Sequence, residues 1–94
     1  MISYGKQSID QSDIDAVIDV LNSDWMTQGP AVETFEDDLN QYFGSKYCCA
    51  VSNGTAALHL AVSSISKEKG EIIVPSLSFV STAHCVKYSG HKVI

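Results

Sequence analysis

Arginine is absent from the chain, and its six lysines stand against 11 acidic residues for a formal net charge of −5. No basic patch rich enough to follow a phosphodiester backbone can be assembled from that set, so nucleic acid is not an expected partner. A substrate carboxylate is ordinarily gripped bidentately by a guanidinium, and here that clamp would have to lie elsewhere. Only three cysteines occur, Cys48, Cys49 and Cys85, and no two form a C-x-x-C pair. Two adjacent cysteines inside an apolar run read as reduced core residues rather than metal ligands, and no metal is expected. Neither G-x-x-x-x-G-K nor G-x-G-x-x-G occurs, and no Ser/His/Asp or Cys/His set can be assembled. His59, His84 and His91 lack ligand spacing. The leading MISYGKQSID has no apolar core of a signal peptide, and no run reaches the length of a membrane span. The expectation is a cytoplasmic address with no membrane partner.

What is present is ordinary for a globular chain. Of the 94 residues, 45% are hydrophobic and 18% charged, too apolar for disorder and too few for more than one domain's worth of core. Ile14, Val17, Ile18 and Leu21 recur at helical spacing, which predicts a helix over 10–22 with Asp10 as its cap and early acids matching the dipole. "DWMTQGP" reads as a connector. Pro30 suits the first turn of a second helix, Val32, Phe35, Leu39 and Tyr42 give it an apolar face, and Gly44 suits the position past its end. Residues 1–46 thus read as a helical segment.

From Tyr47 the period changes. "YCCAVS" (47–52) is a continuous apolar run, the pattern of a strand buried on both faces. A helix is predicted over about 55–64, with Leu58, Ala61, Val62 and Ile65 inward. "IIVP" reads as a second strand stopped by Pro75, and a helix over about 79–89 is capped by Gly90. "HKVI" opens a third strand. Strand, helix, strand, helix, strand with short connectors predicts a parallel α/β sheet over 47–94 with right-handed crossovers. Three strands with four helices leave a sheet without neighbours, so the chain reads as part of something larger.

The stretch "VSNGTAALHLA" (51–61) passes from strand to helix through Asn53, Gly54 and Thr55. A helix N-terminus leaves N–H groups unpaired beside a partial positive charge, and a phosphate there satisfies both; Gly54 admits it closely and Thr55 adds a hydroxyl. The same letters also make a plain turn capped by Asn53 or Thr55. Phe79 follows the carboxyl end of the second strand, where open α/β sheets place ligands, and equally suits a core aromatic covering the sheet.

Several stretches together resemble one family. "YGKQSID", "LNSDWMTQGP", "FEDDL", "YCCAVSNGTAALHLA", "EIIVPSLSFVSTA" and "YSGHKVI" are similar, in order and spacing, to the pyridoxal-phosphate-dependent sugar aminotransferases of the DegT/StrS type. The resemblance implies the large domain of the aspartate-aminotransferase type I fold. It places the cofactor phosphate at Gly54, Thr55 and Ala56, and stacks Phe79 on the pyridine ring. It makes Tyr4, Thr27, Gln28 and Gly29 candidate contacts to substrate or cofactor. The implied reaction moves an amino group from an amino acid, glutamate, to a nucleotide-linked 4-keto-6-deoxy sugar for surface polysaccharide, in a cytoplasmic homodimer. The acid that pairs with the pyridine nitrogen and the Schiff-base lysine are not matched here: Lys6, Lys46, Lys67, Lys69, Lys87 and Lys92 all fall outside the family's lysine motif. The chain is therefore expected to be the amino-terminal part of such an enzyme and inactive alone. A truncated-gene remnant or a small binding domain is the rival reading, and a dehydratase variant of the family fits equally.

Overall fold

The computed structural model describes residues 5–65 and 68–94. The chain divides into two compact units, Met1–Cys48 and Cys49–Ile94, each taken by itself below.

The first unit contains two helices, α1 (Gln11–Leu21) and α2 (Pro30–Phe43). The start of α1 is written locally. Asp10 Oδ1 accepts from the Ser12 and Asp13 N–H groups at 2.8 and 3.2 Å, and the Asp13 carboxylate takes the Asp10 N–H at 2.9 Å. This reciprocal box satisfies orphan donors of the first turn, as the Asp10 cap predicted. The Ser12 hydroxyl and the Asp13 and Ser12 N–H groups hold the Asp10 carboxyl below the ordinary aspartate range. Pro30 opens α2, where its missing N–H costs nothing, and Gly44 closes it at φ +64°. Neither helix has a buried residue. The apolar stripe of α1, Ile14, Val17, Ile18 and Leu21, is exposed, since no described residue of this unit covers it.

The second unit is built from α3 (Gly54–Ile65), β1 (Glu71–Ile72), α4 (Ser81–Tyr88) and β2 (Lys92–Val93). The strands are parallel, with Glu71 opposite Lys92 and Ile72 opposite Val93. The hydrogen bonding continues past these pairs: Lys92 N–H donates to Gly70 O, Ile94 N–H to Ile72 O and Val74 N–H to Ile94 O, at 2.9–3.0 Å. The strand–helix–strand order expected over 71–94 is present. The strand expected over 47–52 is not: those residues join no ladder, and the sheet of the described residues has two strands. An apolar run becomes a strand only when a neighbour pairs its backbone groups, and neither β1 nor β2 does so here. Helix α4 starts two residues later than expected, after a tighter turn in which Thr82 and Ala83 N–H groups donate three residues back to Phe79 and Val80.

The core lies between α4 and its neighbours. Cys85 and Val86 are 2% and 1% exposed, and α4 packs on both α3 and β2. The end of α4 is a two-bond reversal: His91 N–H reaches Val86 O at 3.0 Å and Gly90 N–H reaches Lys87 O at 2.9 Å, with Gly90 at φ +81°. Only a residue free of a Cβ adopts that setting without strain. The reversal buries His91 beside the sheet, where its Nδ1 accepts the Gly70 N–H at 3.1 Å; its Nε2 is buried without a partner. Buried Ser89 is paired through its hydroxyl to Ser63 Oγ at 2.9 Å and through its carbonyl to Lys69 Nζ at 2.7 Å. Expected inward on α3, Leu58 is partly and Ile65 largely exposed, since α4 covers only one side of that helix. No helix of the described residues is long and apolar enough to cross a membrane.

Candidate functional site

Asn53 settles how α3 begins. Its carbonyl accepts the Ala57 N–H at 3.1 Å, and its side-chain Oδ1 accepts the Ala56 N–H at 2.9 Å. Asn53 is therefore the cap, and Gly54, Thr55 and Ala56 are the first three residues of the helix. The cap consumes one of the orphan donors, that of Ala56. Helix geometry leaves the N–H groups of Gly54 and Thr55 without intrahelical partners, and the Thr55 hydroxyl is exposed beside them.

These two residues open a pocket of about 650 Å³. Along α3 its wall continues through Ala57, Leu58 and Ala61; the opposite side is Phe79, Ser81 and Thr82, from the segment that leaves β1 and enters α4. Gly54, Thr55 and Phe79, singled out separately by sequence, are thus brought to one cavity. Ala56 is not on its wall, and its N–H is already taken. The α3 wall follows i, i+3, i+4, i+7 from Gly54, one face of a helix. That register was readable from the sequence once Gly54 was taken as a site residue. Ser81 and Thr82 carried no such signal.

No lining residue is charged, so an anion here would meet the partial positive charge of α3, two free N–H groups and one hydroxyl. A Cβ built on Gly54 would meet nothing within 4 Å, so the space beside it is open to a ligand. The Phe79 ring, with Leu58 and Ala61, offers an apolar surface for a flat ring. A phosphorylated aromatic cofactor fits both ends. No group of three or more His, Cys, Asp or Glu able to hold a metal occurs among the described residues.

The other candidates lie in the first unit. Gln28 has φ +51°, a left-handed setting uncommon for a residue with a side chain. Gly29 is buried, and a Cβ there would come 2.5 Å from Trp25 Cβ and 3.1 Å from Trp25 O. Trp25, Gln28, Gly29, Pro30 and Glu33 line a small groove of about 260 Å³, and Thr27 does not. Tyr4 lies outside the described residues.

Comparison with known proteins follows the same lines. Residues 7–94 match the DegT/DnrJ/EryC1/StrS aminotransferase family, and the chain belongs to it. Among its curated relatives is the UDP-4-amino-4,6-dideoxy-N-acetyl-beta-L-altrosamine transaminase of Campylobacter jejuni strain 81-176, 39% identical over 99% of this chain and 25% of that protein. In structure the chain is similar to Helicobacter pylori PseC, an aminotransferase involved in the biosynthesis of pseudoaminic acid. The TM-score is 0.87 at 33% identity, covering 98% of this chain and 26% of that one. It is also similar to the E. coli GDP-4-keto-6-deoxy-D-mannose-3-dehydratase with bound hydrated PLP. There the TM-score is 0.81 at 35% identity, over 99% of this chain and 26% of the other. The chain thus spans about a quarter of the length of the relatives it matches, and corresponds in structure to a quarter of that fold.

Proposed function

We propose that these residues form the phosphate-and-ring wall of a pyridoxal-phosphate site in a nucleotide-sugar aminotransferase. The observation that carries the reading is the meeting of Gly54, Thr55 and Phe79 at one uncharged pocket, in a chain matched to the family over 7–94. The wider reading is transfer of an amino group from glutamate to a nucleotide-linked 4-keto-6-deoxy sugar, in a homodimeric cytoplasmic enzyme. The altrosamine transaminase and PseC relatives support the amino-transfer part of it, to a nucleotide-linked amino-dideoxy sugar.

When bound, the cofactor supplies an electron sink that lets an amino group move between carbon skeletons. This chain's residues bind and orient it. The Thr55 hydroxyl and the Gly54 and Thr55 N–H groups hold the phosphate at the start of α3, and Asn53 keeps that turn in shape. Phe79 covers the ring, and Ala57, Leu58 and Ala61 exclude water from one side. The residues that would bond the cofactor and move protons are not assigned to any of these 94 positions, so the chain alone is expected to show no transaminase activity.

The test is made in the complete protein that carries this sequence. Thr55→Ala removes a charge-assisted hydrogen bond, expected to weaken pyridoxal phosphate binding about 10- to 100-fold, with loss of amino-sugar formation from glutamate and a UDP-linked 4-keto-6-deoxy sugar. Unchanged cofactor affinity in both Thr55→Ala and Phe79→Ala would overturn the site. The similarity to the E. coli dehydratase favours a second reading, removal of a hydroxyl from the keto-sugar. Mass spectrometry of the product separates the two, since only transamination adds nitrogen.

A further inference from the structure

Phe79 borders the pocket with 75% of its surface exposed, so side-chain packing does not hold its ring. What is tied down is the backbone around it. Ser78 Oγ and Thr82 Oγ1 lie 2.7 Å apart in a hydroxyl–hydroxyl hydrogen bond. The Thr82 N–H donates to Phe79 O at 3.0 Å. The two bonds close around Phe79, one joining the residue before it to the residue three after. Val80, which caps α4, makes no side-chain hydrogen bond. Ser78 and Thr82 therefore supply the side-chain bond at this entry to α4.

We propose that Ser78 and Thr82 are positioning residues whose hydroxyl bridge sets the Phe79 ring against the flat face of the cofactor in the pocket. The proposal rests on the cofactor reading above. Rotamer choice depends on backbone φ and ψ, so fixing the turn limits where an otherwise free ring can go. A ring already confined loses less entropy when it stacks. The bridge is solvent-exposed, so its removal changes stability little while loosening the ring.

The experiment titrates pyridoxal 5′-phosphate into the complete protein and reads affinity by absorbance and ring setting by visible circular dichroism. Thr82→Val, which keeps the shape and loses the hydroxyl, and Ser78→Ala are each expected to raise Kd about two- to tenfold and to shrink the dichroic band at saturation. Thr82→Ser should retain both properties. The double variant should be no worse than either single one, since both act through one bond.

Wild-type Kd and dichroism in Thr82→Val overturn the proposal. If Phe79→Ala weakens binding in that case, the bridge fails alone and the cofactor site stands; if Phe79→Ala is also without effect, the ring's role fails too. A fall in Tm in Thr82→Val that matches the loss of affinity and is repaired by Thr82→Ser makes the hydroxyls purely structural and overturns the proposal as well.

Discussion

The two units hold themselves together by different means. In Met1–Cys48 the visible devices are local: a capping box between Asp10 and Asp13, a proline at the start of α2, a left-handed glycine at its end. Its helices bury no residue. In Cys49–Ile94 the ties are distant: Gly70 to His91 and Glu71 to Lys92, each 21 positions apart, and Ser63 to Ser89, 26 apart, around a core of Cys85 and Val86. Local devices define helices without demanding a core. Distant ones need the core first, because closing a loop is favourable only when burial offsets its entropy.

That contrast is broken most severely at Val86. Val86→Asp places a charge with no partner at a side chain 1% exposed, and the second unit is expected to lose its fold. Hydrogen exchange should show the Gly70, Lys92 and Ile94 amides unprotected while those of α1 keep their protection. A comparable loss in α1 would mean that the units are not separately held.

Gly29→Ala tests whether the first unit has any tight packing of its own. The added Cβ would meet Trp25 Cβ at 2.5 Å, and the displacement should cost about 1–3 kcal/mol in urea unfolding. No change would mean that the Trp25–Pro30 turn is soft.

The smallest effect belongs to Asp10. Its carboxyl is held below the ordinary range, so the folded state favours the charged form. The cap's contribution is present above the usual aspartate value and is lost as pH falls through the lowered one. Asp10→Ala should reduce α1 helicity, read by amide chemical shifts at neutral pH, and the difference from wild type should vanish in acid. A difference that persists at low pH would assign the cap to something other than the carboxylate.

What the sequence made legible follows the same division. Asp10, Pro30, Gly44 and Gly90 act where they stand, so α1, α2 and the end of α4 were readable within a residue or two. Residues 47–52 read as a strand from apolarity alone, yet a strand is a relation between segments, and neither β1 nor β2 pairs with them. At the site, Gly54 and Thr55 were readable from the turn they occupy. Asn53 and Thr55 both suit the cap of that turn, and the hydrogen bond from Ala56 N–H selects Asn53. Phe79 came from its place after β1. Ser81 and Thr82 reach the wall only because the entry to α4 winds tightly, which depends on bonds no spacing rule records.

The ladder between β1 and β2 also carries a consequence in time. Its bonds at Gly70, Ile72 and Val74 all wait for Lys92 or Ile94, 20 to 22 positions further along the chain. A ribosome adds roughly 5–20 residues per second, whereas helices of the length of α1 and α2 relax in about a microsecond or less. During synthesis the first unit's helices can therefore form and re-form many times over while β1 is still unpaired.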